Sequence, residues 1–257
     1  MTQKRTVIVT GASRGIGRAT AIRLAQDFDR VVVVARSAEK LQNTAEEIRT
    51  AGAIPLILVQ DMRDDIAAQR VVSETLAMGG RIDAVVNIAG AVPQTHILTM
   101  TDSEWQESLA LKFHAARKLV IAAWQALQAS QGSVIFMSGA MAVTPKPSLA
   151  AVGSINAAIA ALAKAFSEQG IIDGVQVNSV MPGPVMTDRR HKMLENFARD
   201  RGLDYELAVT VFTKESGITR FGKPEEIAAL IAFALSPAAH WMTGSTLRMD
   251  GGEVKAV

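Results

Sequence analysis

The stretch Thr10-Gly11-Ala12-Ser13-Arg14-Gly15-Ile16-Gly17 constrains this chain more than any other, because the apolar run Thr6-Val7-Ile8-Val9 stops there and a helical pattern begins. A β-branched run of that kind reads as a buried parallel strand. Gly11, Gly15 and Gly17 allow a tight turn, close backbone approach and close packing of helix on strand. The helix that follows aims unpaired N–H groups at whatever lies over the turn, which suits a diphosphate. Three glycines also describe an ordinary turn, so the rest of the chain has to supply the context.

Beyond the turn, Ala21, Ile22, Leu24 and Ala25 recur at helical spacing within Arg18 to Asp27, and Val31 to Ala35 is the next buried strand. A helix over Ala38 to Thr50 leads to a third strand, Leu56 to Val59. A helix over Asp64 to Met78 leads to a fourth, Ile82 to Asn87, closed by Ala89-Gly90. One long helical region is expected over Asp102 to Ala129, followed by a fifth strand, Ser133 to Met137. An Ala-rich helix over Ser148 to Gln169, a sixth strand over Val175 to Val180, a helix over Pro224 to Leu235 and a last strand over Thr246 to Met249 complete the pattern. Such regular alternation predicts parallel strands joined by right-handed helical crossovers, a doubly wound α/β sheet in a single domain over 1–257. The segment 184–223 has no matching strand, carries mixed charge and only weak helical patterning, and reads as a lid or binding loop.

Composition narrows the function classes. With 27 Lys and Arg against 25 Asp and Glu, the net charge of +2 gives no field strong enough to mark a nucleic-acid or anionic-membrane binder. The chain has no Cys, which excludes disulfides and thiolate chemistry and fits a reducing compartment. Only five residues precede the first strand, which leaves no room for a signal peptide, and no apolar run approaches a membrane span. The expectation is a soluble, cytoplasmic protein. His96, His114, His191 and His240 are scattered without ligand spacing, so no metal site is expected.

The glycine turn, Asn87-Ile88-Ala89-Gly90 after the fourth strand and Pro182-Gly183 after the sixth fall in order, each behind a strand. Together with Pro224-Glu225-Glu226-Ile227-Ala228, Thr243-Gly244 and Asp250-Gly251-Gly252 they resemble the short-chain dehydrogenase/reductase family over the whole chain. The resemblance implies a Rossmann-like sheet of about seven strands, a nicotinamide cofactor, a small-molecule substrate and a homotetramer or homodimer. It implies that Gly11, Ser13, Gly15, Ile16 and Gly17 line the diphosphate, and that Asp61 and Met62 hold the adenine. Asn87, Ala89 and Gly90 would run beside the ribose and nicotinamide, with Pro182, Gly183, Val185 and Thr187 at the carboxamide end. Structural roles stand beside these: Asn87 can brace two strands and Asp61 can cap a helix. NAD binders place an acid at the end of the second strand. Here that strand ends Ala35-Arg36-Ser37, and Arg14 lies in the glycine turn. Two guanidinium groups suit a 2′-phosphate, which favours NADP(H), unless both arginines are simply solvated.

The family runs its chemistry on a Tyr, a Lys four positions later, a Ser and an Asn. Ser138 ends the fifth strand where the Ser belongs. The family's spacing from Ser138 then sets the Tyr position at Ala151 and the Lys position at Ile155, inside Ala151-Val152-Gly153-Ser154-Ile155-Asn156. The chain's one tyrosine, Tyr205, lies in the presumed lid, and the Asn position, counted from Trp105, falls on Lys112. Alanine has no proton to give and isoleucine has neither charge nor hydrogen bond, so the usual mechanism is not available. Ser138 and Lys112 are the candidate catalytic residues. A desolvated Lys112 on the neighbouring helix would have a lowered pKa and act as an acid, or it exits to solvent. His96, His191 and Tyr205 are further proton sources or loop-packing residues.

Three functions stay open on the sequence. One is an NADP(H)-dependent oxidoreductase with a divergent site, acting on a carbonyl, an alcohol or an activated alkene. The second is a catalytically silent NADP(H)-binding sensor or partner subunit. The third is a non-redox lyase or isomerase. Met141, Val143, Met186 and Met193 suggest an apolar substrate pocket, and no anionic clamp stands out.

Overall fold

The computed structural model of the protein describes residues 4–255. Seven strands form one sheet: β1 (Thr6–Thr10), β2 (Arg30–Ala35), β3 (Ile54–Val59), β4 (Ala84–Asn87), β5 (Ser133–Met137), β6 (Gln176–Pro182) and β7 (Thr246–Met249). Among the described residues, nine α-helices accompany them: α1 (Gly15–Leu24), α2 (Ala38–Thr50), α3 (Ala67–Gly79), α4 (Asp102–Ser108), α5 (Ala115–Ser130), α6 (Ala150–Asp173), α7 (Asp188–Arg201), α8 (Tyr205–Ser216) and α9 (Pro224–Ala234). The strand order is β3-β2-β1-β4-β5-β6-β7, and every pairing is parallel.

The valine and isoleucine runs explain the layering. β1 and β5 are buried along their whole length, which a parallel sheet requires when helices cover both faces. Ile8, Val32, Val85, Val134 and Phe136 face α3, α5 and α6, while Val7, Val9, Val33, Val86 and Ile135 face α1, α2 and α9. From β1 the chain winds one way through β2 and β3, then returns to add β4 on the other side. That reversal opens a crevice above the carboxyl ends of β1 and β4, where ligands of doubly wound sheets bind.

Two expectations are corrected and a third gains detail. The helix over Asp102 to Ala129 is interrupted: α4 ends at Ser108, Leu109–His114 is a π-helical stretch, and α5 resumes at Ala115. The weakly patterned segment 184–223 holds two full helices, α7 and α8, capped by the side chains of Thr187 and Asp204 and ended by the left-handed Gly202 and Gly217. Finally, the helical run Pro147–Asp173 is long and apolar enough to cross a membrane. Its Ala151, Ile155, Ile159 and Ala163 pack into the core against Phe136, so its apolar character serves burial on the sheet.

Candidate active site

The crevice begins at the glycine turn. Gly11 holds φ +71°, and a Cβ there would stand 2.9 Å from Ala89 N; at Gly17 a Cβ would stand 2.1 Å from Gly11 O. Only glycine fits either place. The Thr10 hydroxyl accepts from Ile88 N and Ala89 N, both at 3.1 Å, so the first motif and the Asn87–Gly90 motif are tied together. Thr44 Oγ1 donates to Ala12 O at 3.0 Å and fixes the turn from α2. Arg14 occupies the N-cap of α1 with no side-chain cap, and the first turn holds no acid. The helix N-terminus therefore keeps its donors for an anion. Ser13 and Ile16 are half-buried beside it.

On the far side, Asn87 is buried, and its Nδ2 has no hydrogen-bond partner. A buried amide donor left open is costly, and it marks a place for a ligand oxygen or ring nitrogen. Met62 is buried next to it, and both line a small cleft with Thr10, Ala89 and Leu111. Asp61 is held by Arg63, whose Nη2 donates to Oδ2 at 2.6 Å, and this hydrogen bond keeps its carboxyl below the usual range. Arg36 stands 4.0 Å from Asp61 with two-thirds of its side chain exposed. The structure thus adds Arg63 to the rim, a residue the motifs do not mark.

At the other end of the crevice stands Lys112, carried by the π-helical stretch. Its stem runs beside Gly90, where a Cβ would lie 3.2 Å from Lys112 Cδ and Cγ. Its Nζ donates to Asn156 Oδ1 and, at 3.5 Å, to Ser138 O. The residue as a whole is half-buried, but burial of the ammonium, with Arg189 nearby, pushes its pKa down from 10.5 to about 8. Asn156 belongs to none of the motifs. It is buried on α6 one residue after Ile155, and its amide lies against Gly139, where a Cβ would be 2.6 Å from Nδ2. The Ser138 hydroxyl is buried and donates to Asn156 O at 2.8 Å. Ala151 and Ile155 are each 1% exposed and belong to the core, so α6 presents no titratable group at those two positions.

The segment after β6 closes the crevice. Gly183 sits on the backbone of Asp250, where a Cβ would be 2.7 Å from its Cα, and Pro182 ends β6. Val185 is buried and bridges to Gly222, while the Thr187 methyl approaches the Cβ position of Gly15 to 3.2 Å. The first turn of α7 thereby touches the glycine turn. Arg189 donates from this turn across to Val92 O in the loop after β4. Burial, with Arg14 close by, lowers its pKa. Two of the histidines and the tyrosine have local partners: His96 Nδ1 accepts from Leu98 N at 3.3 Å, and His191 Nδ1 lies 2.6 Å from Tyr205 Oη. Among the described residues no group of three or more His, Asp or Glu is placed to hold a metal ion.

These residues fit a phosphorylated dinucleotide: a cradle that a Cβ would fill, an uncapped helix N-terminus, an open buried amide at Asn87, and arginines where a ribose-binding acid would otherwise stand. Known proteins resemble this chain in sequence and fold. Residues 11–253 match the family model described as enoyl-(acyl carrier protein) reductase. The chain belongs to the short-chain dehydrogenase/reductase family. It is 31% identical over 256 residues to the short-chain reductase protein NovJ of Streptomyces niveus, covering 98% of this chain and 95% of that one. It is 30% identical over 261 residues to the NADPH-dependent reductase BacG of Bacillus subtilis, covering 99% of both. Among solved structures, L-sorbose reductase from Gluconobacter frateurii, complexed with NADPH and L-sorbose, superimposes with a TM-score of 0.94 at 28% identity over 99% of this chain and 98% of that one.

Proposed function

We propose that this protein is an NADP(H)-dependent oxidoreductase that acts on a carbonyl, an alcohol or an activated alkene through an active site in which Lys112 stands in for the family's tyrosine. The observation that carries the reading is the desolvated Lys112 ammonium, fixed on Asn156 Oδ1 beside Gly90 at the mouth of the crevice. Gly11, Gly15 and Gly17 with the N-terminus of α1 would take the diphosphate. Arg14 and Arg36 would take the 2′-phosphate, Asp61 and Met62 the adenine, Asn87 the ribose beside the nicotinamide, and Val185 and Thr187 the carboxamide. NADPH supplies a hydride when bound. The chain's part is to hold the carbonyl oxygen and protonate it. With a pKa near 8, the Lys112 ammonium is charged at neutral pH and a stronger acid than a free lysine, which suits both tasks. Ser138 would join it once its hydroxyl turns from Asn156 O towards the crevice. In the arrangement described, it fastens α6 to the end of β5.

Helices α7 and α8 would act as the lid over 184–223 of a single domain, with Met141, Val143, Met186 and Met193 offering an apolar wall to the substrate. Ala157, Ala161 and Ala165, exposed at i, i+4 and i+8 on α6, suit close packing on a second copy, and a homodimer or homotetramer in the cytoplasm is the assembly we favour. One observation favours a second reading. Ala151 and Ile155 are sealed in the core, which suits a silent NADP(H)-binding sensor or partner subunit.

The test is NADPH consumption on a panel of ketones, aldehydes and enones with the wild-type chain and with Lys112→Met. Turnover that falls by about 100-fold or more in the variant supports Lys112 as acid. Cofactor binding without turnover, with activity appearing in the triple variant Ala151→Tyr, Ile155→Lys, Lys112→Asn, assigns the protein to the silent class.

A further inference from the structure

Lys112 and Arg189 reach the same short loop from opposite sides. The stem of Lys112 lies along Gly90, and the guanidinium of Arg189 donates to Val92 O two residues on. Every oxygen that holds them is neutral: Ser138 O and Asn156 Oδ1 for the lysine, Val92 O for the arginine. Among the described residues no carboxylate forms an ion pair with either. The neighbouring Arg190 shows what neutralisation looks like here. It stacks over Phe212 and Phe221 and faces Glu253, so its charge is answered inside the protein. Arg189 instead bears on Lys112 as a like charge, Arg14 bears on Arg189 in the same way, and both Lys112 and Arg189 have lost water. Two like charges in a partly desolvated cleft are costly until an anion arrives, and a guanidinium meets a carboxylate or phosphate with paired, charge-assisted bonds.

We infer that Arg189 receives an anionic group of the substrate, a carboxylate or phosphate, while Lys112 addresses a carbonyl a short distance along the same molecule. The substrate class is therefore an oxo acid or its phosphate counterpart with an apolar tail. A cationic substrate such as an iminium ion is disfavoured, because it would meet the two cations head on. This rests on the reductase reading above. One other source could supply the anion, the diphosphate of the cofactor itself, since Thr187 of the same turn touches Gly15.

Calorimetric titration separates the two. The probes are 2-oxooctanoate and the neutral 2-octanone, added to NADPH-saturated and to cofactor-free protein, in the wild-type chain and in Arg189→Gln. The expected result is that 2-oxooctanoate binds at least about tenfold more tightly than 2-octanone, that the variant loses about tenfold for the oxo acid, and that its affinities for 2-octanone and NADPH hold within about twofold. Equal binding of oxo acid and ketone overturns the inference. So does a variant that loses NADPH affinity while keeping 2-oxooctanoate, which would give Arg189 to the cofactor. A wild-type chain that binds no NADPH fails the reductase reading, while the cofactor-free titration still decides whether the cleft selects an anion. Arg189→Lys, which keeps the charge and loses the fork, should recover part of the oxo-acid affinity.

Discussion

Removing the Lys112 ammonium tests its desolvation without any substrate. In the folded protein its pKa stands near 8 against 10.5 for the free side chain. Below pH 8 the lysine is charged in both folded and unfolded chains, and the folded state bears the whole cost. As pH rises through 8 the folded state sheds the proton while the unfolded chain keeps it, so stability grows up to about pH 10.5. The full cost for a shift of that size is about 3 kcal/mol, and between pH 7 and pH 9 about 1.3 kcal/mol of it is relieved. Lys112→Met leaves Asn156 Oδ1 without its partner, but that loss is independent of pH and cancels in a comparison across pH. Urea unfolding of wild type and variant at pH 7 and pH 9 reads the difference. The wild-type chain should gain about 1.3 kcal/mol on the variant between the two pH values. An unchanged gap would mean that the ammonium sits in water, and the account of Lys112 as a tuned acid would fail with it.

Two further perturbations probe the scaffold. In Gly17→Ala the new Cβ would meet Gly11 O, a backbone atom that cannot step aside, and a loss of at least about 3 kcal/mol is expected by urea unfolding, together with loss of NADPH binding. A loss under about 0.5 kcal/mol would show that the turn is looser than described. Thr101→Ala removes the capping box that Thr101 forms with Glu104 at the start of α4, and should cost about 1 kcal/mol while leaving cofactor affinity untouched.

Much of the fold was written in the chain. The apolar runs Val31 to Val34 and Val134 to Met137 are buried strands, and the glycine turn falls at a strand end where only glycine tolerates the close approaches found at Gly11 and Gly17. The expected bounds of α2, β5 and β7 agree with the structure to the residue. What could not be read has several physical causes. The π-helical stretch that carries Lys112 departs from a helical period only because tertiary contacts reward it, and its local sequence, Leu109-Ala110-Leu111-Lys112-Phe113-His114, patterns like any amphipathic helix. Helix α7 is rich in charge and both α7 and α8 bury little, so their apolar period is faint, although the caps at Thr187 and Asp204 with Gly202 and Gly217 were a usable signal. Asn156 and Arg189 were invisible for another reason. Each is placed by contacts between residues far apart in sequence, Asn156 with Lys112 and Ser138, Arg189 with Val92. The motifs located the crevice, but not the partners that fill it.

The central claim is that this crevice holds NADP(H), and direct calorimetric titration of the wild-type chain with NADPH and with NADH tests it. The account predicts tight binding of NADPH and binding of NADH weaker by about tenfold or more, with Arg36→Ala erasing the difference. Equal affinity for the two would remove the roles of Arg14 and Arg36. No binding of either would contradict the cofactor assignment, and the oxidoreductase reading with it.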